Sequence, residues 1–438
     1  MYDIAVIGLG PAGLEAVSVA LKHDLKVIAF EKDELGGTCL NVGCIPTKSI
    51  LHTSQLIHDI KESSKLGINL FSAPDFSWQA ILDRKSEIVN KFTKVLNSQL
   101  ERNITIVKSS VELAINYDEA QIYADGKMYQ AKNIIVATGS KPIELPGLPF
   151  DGDFVICSDD FYKMQSLPRR ITIVGSGAIG LEWAKILSDL KVEVKLVEKA
   201  PNIAPILDVD LQKRAERILK ANGVEYYKND YIVKISNDLV ILNSQTAFET
   251  DCILVAVGRT PVIPKTTMIG LGGEYVLRSD EYGFTDIDNL FVVGDAGGYS
   301  SLAHSASYQA RAIVNRIVLG KPIIQKPIPS VIYTKPEIAS IGLREQDIQG
   351  LEGYKIKKIL MPSIAKSWCD DCADGILKVI IKDDFIVGAH IVAKEACEMI
   401  SLFSVFIDKK ISIDEITDMI FPHPSYAEAI LELLKNDQ

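Results

Sequence analysis

The run Gly8-Leu9-Gly10-Pro11-Ala12-Gly13 stands between a short apolar segment, Ile4 to Ile7, and a helix-like stretch, Leu14 to Lys22. The same arrangement returns at Gly175-Ser176-Gly177-Ala178-Ile179-Gly180, after Ile171 to Val174. In each copy a second apolar run follows and ends on an acid. Lys26 to Phe30 leads to Glu31, 23 positions beyond Gly8, and Val192 to Val197 leads to Glu198, 23 positions beyond Gly175. A strand, a glycine turn and a helix in this order form an anion cradle. The glycines let the backbone approach a pyrophosphate, and the helix N-terminus stabilises its charge. The acid accepts hydrogen bonds from a ribose 2′-hydroxyl. One glycine fingerprint is a weak signal. Two with matching context and matching acidic offset predict two doubly wound α/β folds, each holding a dinucleotide. At the second fold Glu198 favours the free hydroxyl of NAD over the 2′-phosphate of NADP, and no arginine lies between Glu198 and Pro205 to reverse that choice.

The chain has 438 residues, room for about three domains at roughly 150 residues each. Pro142, Pro146, Gly147 and Pro149 mark a hinge that closes a first unit at 149. Ala137-Thr138-Gly139 ends an apolar strand just before it, and Ala256-Val257-Gly258 echoes that turn near the end of the second unit. The second unit is read as 150–278. Residues 279–322, with a strand at Leu290 to Val293 ending near Asp295 and a helix from about Ser301 to Leu319, return to the first. From 323 to 438 strand-like runs such as Leu377 to Ile381 alternate with helix-like ones such as Cys397 to Asp408, which predicts a third, α+β domain.

Cys39 and Cys44 lie just downstream of the first glycine turn, in Gly36-Gly37-Thr38-Cys39-Leu40-Asn41-Val42-Gly43-Cys44-Ile45-Pro46-Thr47-Lys48. A pair so spaced closes a tight ring, and a tight, accessible disulfide is more easily reduced than a structural one. A zinc site would space the pair more closely and add a second pair to it, and none accompanies this one, so no metal is expected. The reading is a redox dithiol. Composition supports the setting. The net charge of −10 disfavours nucleic acid and anionic membrane surfaces and permits a basic protein partner. No apolar run reaches the ~20 residues of a membrane-spanning helix. Seven cysteines in a chain of this length are no secreted disulfide framework, and Met1 precedes the first motif too closely for a signal peptide. A reducing, cytoplasmic compartment is expected.

These residues resemble the class I pyridine nucleotide–disulfide oxidoreductases over essentially the whole chain, with Gly36 to Lys48 the most specific piece. Gly177 to Glu182, Leu302-Ala303-His304 and Ile328 to Glu337 point to the branch that oxidises dihydrolipoamide. The resemblance implies FAD in the first fold, on Gly8, Gly10, Gly13, Glu31, Gly37, Thr38, Lys48, Thr138, Gly139, Asp295, Ala303 and His304. It implies NAD in the second, on Gly175, Gly177, Gly180, Glu198 and Gly258, and a C-terminal dimerisation domain. Cys39 takes the role of the thiol that exchanges with substrate, and Cys44 that of the thiol beside the flavin. Lys48 resembles the family lysine near flavin N5, with Glu182 as its ion-pair partner, and Asp295 the acid that binds the ribityl chain. His304 sits where the family places a histidine beside the flavin, with helix capping or packing as the alternative.

His423 and Glu428, in Phe421-Pro422-His423-Pro424-Ser425-Tyr426-Ala427-Glu428, occupy the family's catalytic base and its orienting acid, a pair that acts across the dimer interface. The expected reaction is dihydrolipoamide plus NAD⁺ to lipoamide plus NADH. The expected partners are a second copy of the chain and the lipoyl-bearing acyltransferase of a 2-oxo acid dehydrogenase complex. Two alternatives stay open: a reductase carrying electrons from NAD(P)H to a disulfide such as that of glutathione, and a flavoprotein redox sensor or binding module. The sequence departs from the family at Phe421 and Lys335, where histidines are common. Cys369-x-x-Cys372 lies outside the family pattern and reads as a loop with two free thiols, a second redox pair being the alternative. Cys157, Cys252 and Cys397 read as ordinary small core residues, and His23, His52, His58 and His390 as surface or packing residues.

Overall fold

A computed structural model describes residues 1–70, 72, 74–100, 102–116, 119–269 and 275–435. The first fold is built on β1 (Tyr2–Ile7), α1 (Pro11–Leu21) and β2 (Val27–Phe30). Its five-stranded parallel sheet runs Leu290–Val292, Ala131–Val136, β1, β2, Thr105–Val107. Ile4, Val6 and Val27 are buried, as continuous apolar runs in a sheet covered on both faces require. The helix α2 (Cys44–Glu62) leaves this unit carrying Cys44 at its first turn.

The second fold repeats the plan with β3 (Arg170–Val174), α3 (Ala178–Asp189) and β4 (Glu193–Glu198). Its parallel sheet runs Glu225–Lys228, β4, β3, Cys252–Val255, Val155–Ile156. The chain then comes back into the first unit, where α4 (Ala303–Leu319) packs on α1. A five-stranded antiparallel sheet spanning residues 330–393 and the helix Ala396–Lys409 form the third, α+β unit. Among the described residues no helix is long and apolar enough to cross a membrane.

The return to the first unit comes earlier than residue 278. Lys265–Met268 pairs in parallel with Glu112–Asn116, and Tyr275 N–H donates to Thr266 O at 2.8 Å. Arg259–Pro261 pairs with Ser140–Pro142, so the two crossings lie side by side and the second fold gives way near Arg259. The returning strand is short and follows Pro261 and Pro264, and such a segment carries too little alternation to register as a strand.

The two folds are joined by α2 and α3. Ile50, Leu51 and Ile57 of α2 share one core with Leu181, Trp183 and Ala184 of α3. Polar contacts fasten the pair at both ends. Lys48 meets Glu182 near the N-termini. Near the C-termini, Asp189 Oδ1 takes the buried Lys185 ammonium and His58 Nδ1 at 3.2 Å, while Lys61 Nζ donates to Asp189 O at 2.7 Å. Burial pushes the Lys185 ammonium down from its ordinary range, so it depends on its counter-ion. Asp189→Ala leaves that charge buried and unpaired and is expected to cost about 3 kcal/mol. The denaturant midpoint reads this, and the double change Lys185→Met with Asp189→Leu should recover most of the loss.

Candidate active site

Both glycine turns are shaped by backbone contact. Gly8 has φ +94°, and a Cβ there would lie 2.5 Å from Ala137 O. Gly175 has φ +102°, with Ala256 O at 2.6 Å. No larger residue fits either place. The paired acids brace these turns in the same way. Glu31 Oε2 accepts from Leu9 N–H at 2.7 Å and Oε1 from Asp33 N–H at 2.9 Å. Glu198 Oε2 accepts from Ser176 N–H at 2.8 Å and Oε1 from Ala200 N–H at 2.7 Å. Each carboxylate is thereby fixed at the rim of its turn with lone pairs left for a ribose. Ser176 Oγ adds a second donor to Glu198 at 2.6 Å.

A cleft of about 1490 Å³ starts at the first turn and at Glu31. It passes Thr38, Cys39, Cys44 and Lys48, and reaches Asp295 and the N-terminus of α4 at Ala303 and His304. Gly8, Gly10, Gly37, Thr138, Gly139 and Glu182 also line it. Gly13 stands behind the wall, because a Cβ there would lie 1.9 Å from Gly8 O, so it sets how closely α1 packs on the turn. An elongated cleft with a bare-backbone turn and an anchored acid at one end, and a helix N-terminus at the other, fits FAD. His304 Nε2 lies 2.8 Å from Pro329 O, which turns the ring to a backbone partner in the third unit. Asp295 accepts from Ser140 Oγ, and that hydroxyl in turn accepts from Arg259 Nε at 2.9 Å. Of the second turn, Ala178 and Ile179 reach the wall of this cleft, whereas Gly175, Gly177, Gly180 and Glu198 do not line it. Gly258 stands next to the crossing strand at Arg259, with φ +122°.

Cys39 and Cys44 both stand as thiols. A hydrogen bond from Cys39, with help from the Lys48 ammonium, brings the Cys44 thiol down to about 7. That hydrogen bond, reinforced by burial, pushes Cys39 up. Of the two, Cys44 is the thiol that gives up its proton more readily. Lys48 Nζ is 2.7 Å from Glu182 Oε2, and Glu182 is almost fully buried.

His423 and Glu428 are brought together. Nδ1 of the histidine is 2.8 Å from Glu428 Oε1, and Glu428 Oε2 accepts from Ser425 N–H at 2.8 Å. The Ser425 N–H and His423 hold the Glu428 carboxyl below its usual range. The histidine side chain is 73% exposed, and the pair lies outside the cleft of its own chain. Three other carboxylates, Asp208, Asp210 and Glu345, converge closely enough to suggest a cation. The fully buried Lys378 ammonium sits among them, 2.6 Å from Asp208 and 3.1 Å from Asp210, with Lys358 2.7 Å from Asp210.

Some residues take places that the sequence did not reveal. Cys397 is not a core residue, since its Sγ lies 3.3 Å from Tyr333 Oη. Tyr333 lines the cleft, although only its segment, and not its ring, drew notice in the sequence. Cys369 and Cys372 are free thiols at the end of a five-residue helix, away from the cleft.

A fold with two dinucleotide cradles and a pair of neighbouring thiols beside one of them defines a class of redox protein that passes electrons between a dithiol and a nucleotide. The chain belongs to the pyridine nucleotide-disulphide oxidoreductase family, whose pattern matches residues 2–310 and whose dimerisation domain matches residues 328–434. Proteins of this family use FAD and NAD. The chain is 31% identical to a dihydrolipoyl dehydrogenase of Mycoplasma pneumoniae, with 99% of this chain and 98% of that protein covered. Its fold is similar to that of LpdA from Mycobacterium tuberculosis, with a TM-score of 0.89 at 23% identity over 99% of each chain. It is also similar in fold to RclA, an HOCl-induced flavoprotein disulfide reductase from Escherichia coli, with a TM-score of 0.83 at 23% identity over 100% of each.

Proposed function

We propose that the chain is an NAD-dependent dihydrolipoamide dehydrogenase that works as a homodimer in the cytoplasm, where thiols stay reduced. The observation that carries this reading is the His423–Glu428 pair on the dimerisation domain, in company with the Cys39–Cys44 dithiol. A dithiol donor must lose protons before it can attack a disulfide, so it needs a base. Nδ1 of His423 is committed to Glu428, which leaves Nε2 to take the proton and the carboxylate to stabilise the imidazolium.

In the oxidised protein Cys39 and Cys44 share a disulfide. His423 of one chain removes a proton from a substrate thiol bound at its partner's cleft. The substrate thiolate attacks Cys39 Sγ, the Cys39–Cys44 bond breaks, and Cys44 departs as a thiolate facing the Lys48 ammonium. The second substrate thiol attacks the substrate sulfur of the mixed disulfide and passes its proton to the departing Cys39 sulfur, while the first proton leaves His423 for water. Cyclic disulfide leaves, and Cys39 departs as the thiol that then donates to Cys44. The substrate has lost two electrons, and the protein holds them as one thiol and one thiolate. FAD, held by the first glycine turn, Glu31, Thr38 and Asp295, supplies when bound the relay from this dithiol to NAD⁺. The second turn and Glu198 hold NAD⁺. Lys48 stabilises negative charge at the thiolate, and Glu182 keeps that ammonium in place. The physiological donor is a lipoyl group on the acyltransferase of a 2-oxo acid dehydrogenase complex, whose basic segment suits an acidic dimer.

Initial rates test the reading. NADH formation from dihydrolipoamide and NAD⁺ is expected to exceed NADPH oxidation with glutathione disulfide by at least about 100-fold, a difference of about 2.7 kcal/mol in transition-state binding. A faster second reaction would overturn it. Glu198→Ala tests the cofactor choice. Removing one charged hydrogen bond to the ribose, about 1.5 kcal/mol, should narrow the NAD/NADP ratio of kcat/KM by about tenfold. A parent that already prefers NADP would refute the assignment.

A further inference from the structure

Lys48 has a four-carbon stem, and one carboxylate fixes its distance but not its direction. The structure supplies a second wall. The Lys48 ammonium lies 4.5 Å from the centroid of the Tyr333 ring. Tyr333 N–H donates to Glu182 Oε1 at 3.2 Å, while Glu182 Oε2 takes Lys48 at 2.7 Å. One residue thus holds both members of the ion pair, the cation through its π face and the anion through its backbone. The ring is tethered at its far end as well. Its hydroxyl is 3.3 Å from Cys397 Sγ, and Cys397 N–H is held by Glu337 at 2.9 Å. Tyr333 follows directly on the strand Ser330–Ile332, so the contact comes from the third unit, whereas Lys48 belongs to α2 and Glu182 to α3. Three units of the chain meet at this ammonium.

We propose that Tyr333 is a positioning residue that acts through Lys48, its ring confining the ammonium on the side of the cleft where the Cys44 thiolate lies. The proposal rests on the reading of Lys48 as the cation that stabilises Cys44. A cation over a phenol face gains electrostatic attraction without the desolvation that a second carboxylate would demand, and it keeps its positive charge for the thiolate. A second carboxylate would neutralise it. The hydroxyl serves only as a tether, so the ring is the working part.

The test uses the full-length, flavin-loaded protein after reduction with a dithiol. The rate of Cys44 alkylation by iodoacetamide is followed against pH and resolved by peptide fragmentation, a readout independent of turnover. Tyr333→Leu is expected to raise the Cys44 midpoint by at least about half a pH unit, roughly a threefold loss of thiolate below the midpoint. Tyr333→Phe should stay within about 0.2 units of the parent, since it keeps the ring. Trifluorophenylalanine at position 333 preserves shape and strips the face of its negative charge, so it should also raise the midpoint. That substitution carries the test should the leucine variant fail to fold. In a Lys48→Met background neither replacement should move the midpoint further. A midpoint unmoved by both Tyr333→Leu and the fluorinated ring, while Lys48→Met alone raises it, would overturn the role of Tyr333 and leave that of Lys48 standing. An undiminished shift in the Lys48→Met background would equally overturn it. If Lys48→Met itself leaves Cys44 unmoved, the underlying reading of Lys48 fails, and the proposal with it.

Discussion

Cys39→Ser and Cys44→Ser are each expected to lower NADH formation from dihydrolipoamide by on the order of 10⁴-fold or more, while the visible flavin spectrum and the unfolding midpoint stay near those of the parent. A hydroxyl matches the thiol in size and still donates a hydrogen bond, but it cannot form a disulfide, so the electron pair has nowhere to rest. The two variants should differ in the chemistry that remains. With Cys39→Ser, the Cys44 thiolate keeps a hydroxyl donor and the Lys48 ammonium 2.7 Å from Glu182, and it should still titrate below an ordinary thiol. With Cys44→Ser, Cys39 loses the thiolate to which it donates but keeps the burial that holds it up, so it should be the less easily alkylated thiol of the two variants at neutral pH. Either variant turning over at more than about 1% of the parental rate would remove the dithiol from the reaction path.

Much of this arrangement was legible in the sequence because it depends on local order. The glycine turns need bare backbone at fixed offsets, and the acids at Glu31 and Glu198 fall at the ends of β2 and β4 because a doubly wound unit has a nearly fixed length. Observed elements lie within a few residues of those read from the pattern. The helix expected from Leu14 to Lys22 is Pro11–Leu21, its proline at the first turn where no amide is missed, and the strand expected at Leu377 to Ile381 is Ile376–Lys382. What escaped was non-local. Lys265–Met268 joins Glu112–Asn116 across the whole of the second fold, and nothing in four residues announces a partner so distant. Tyr333 and Cys397, 64 positions apart, become neighbours only when the third unit folds. Lys185 and Asp189 have the i,i+4 spacing of pairs common on exposed helix faces, yet the packing of α2 on α3 buries both. Sequence periodicity reports which face of an element is apolar, not which polar residues that face will trap.

The geometry of His423 leads to the second large effect. Its side chain is 73% exposed and lies outside its own chain's cleft, whereas Cys39 and Cys44 lie inside it. In the proposed dimer the base therefore serves the partner's dithiol. His423→Gln is expected to lower kcat with dihydrolipoamide by roughly 10²- to 10⁴-fold, the span of general base catalysis, with flavin content unchanged. Glu428→Gln keeps the size of the orienting group and removes its charge, so a smaller loss is expected. Mixing the two kinds of defect then separates the arrangements. If Cys39→Ser and His423→Gln chains are refolded together, half of the dimers are mixed. Each mixed dimer has one site with both defects and one with neither. Turnover should recover to about one quarter of the parental rate, from two preparations that are inactive alone. A base acting on the cysteines of its own chain gives no such recovery, because every site then carries one defect. A mixed preparation that stays inactive, with mixed dimers demonstrated by mass, would place the base within one subunit and undo the dimeric site.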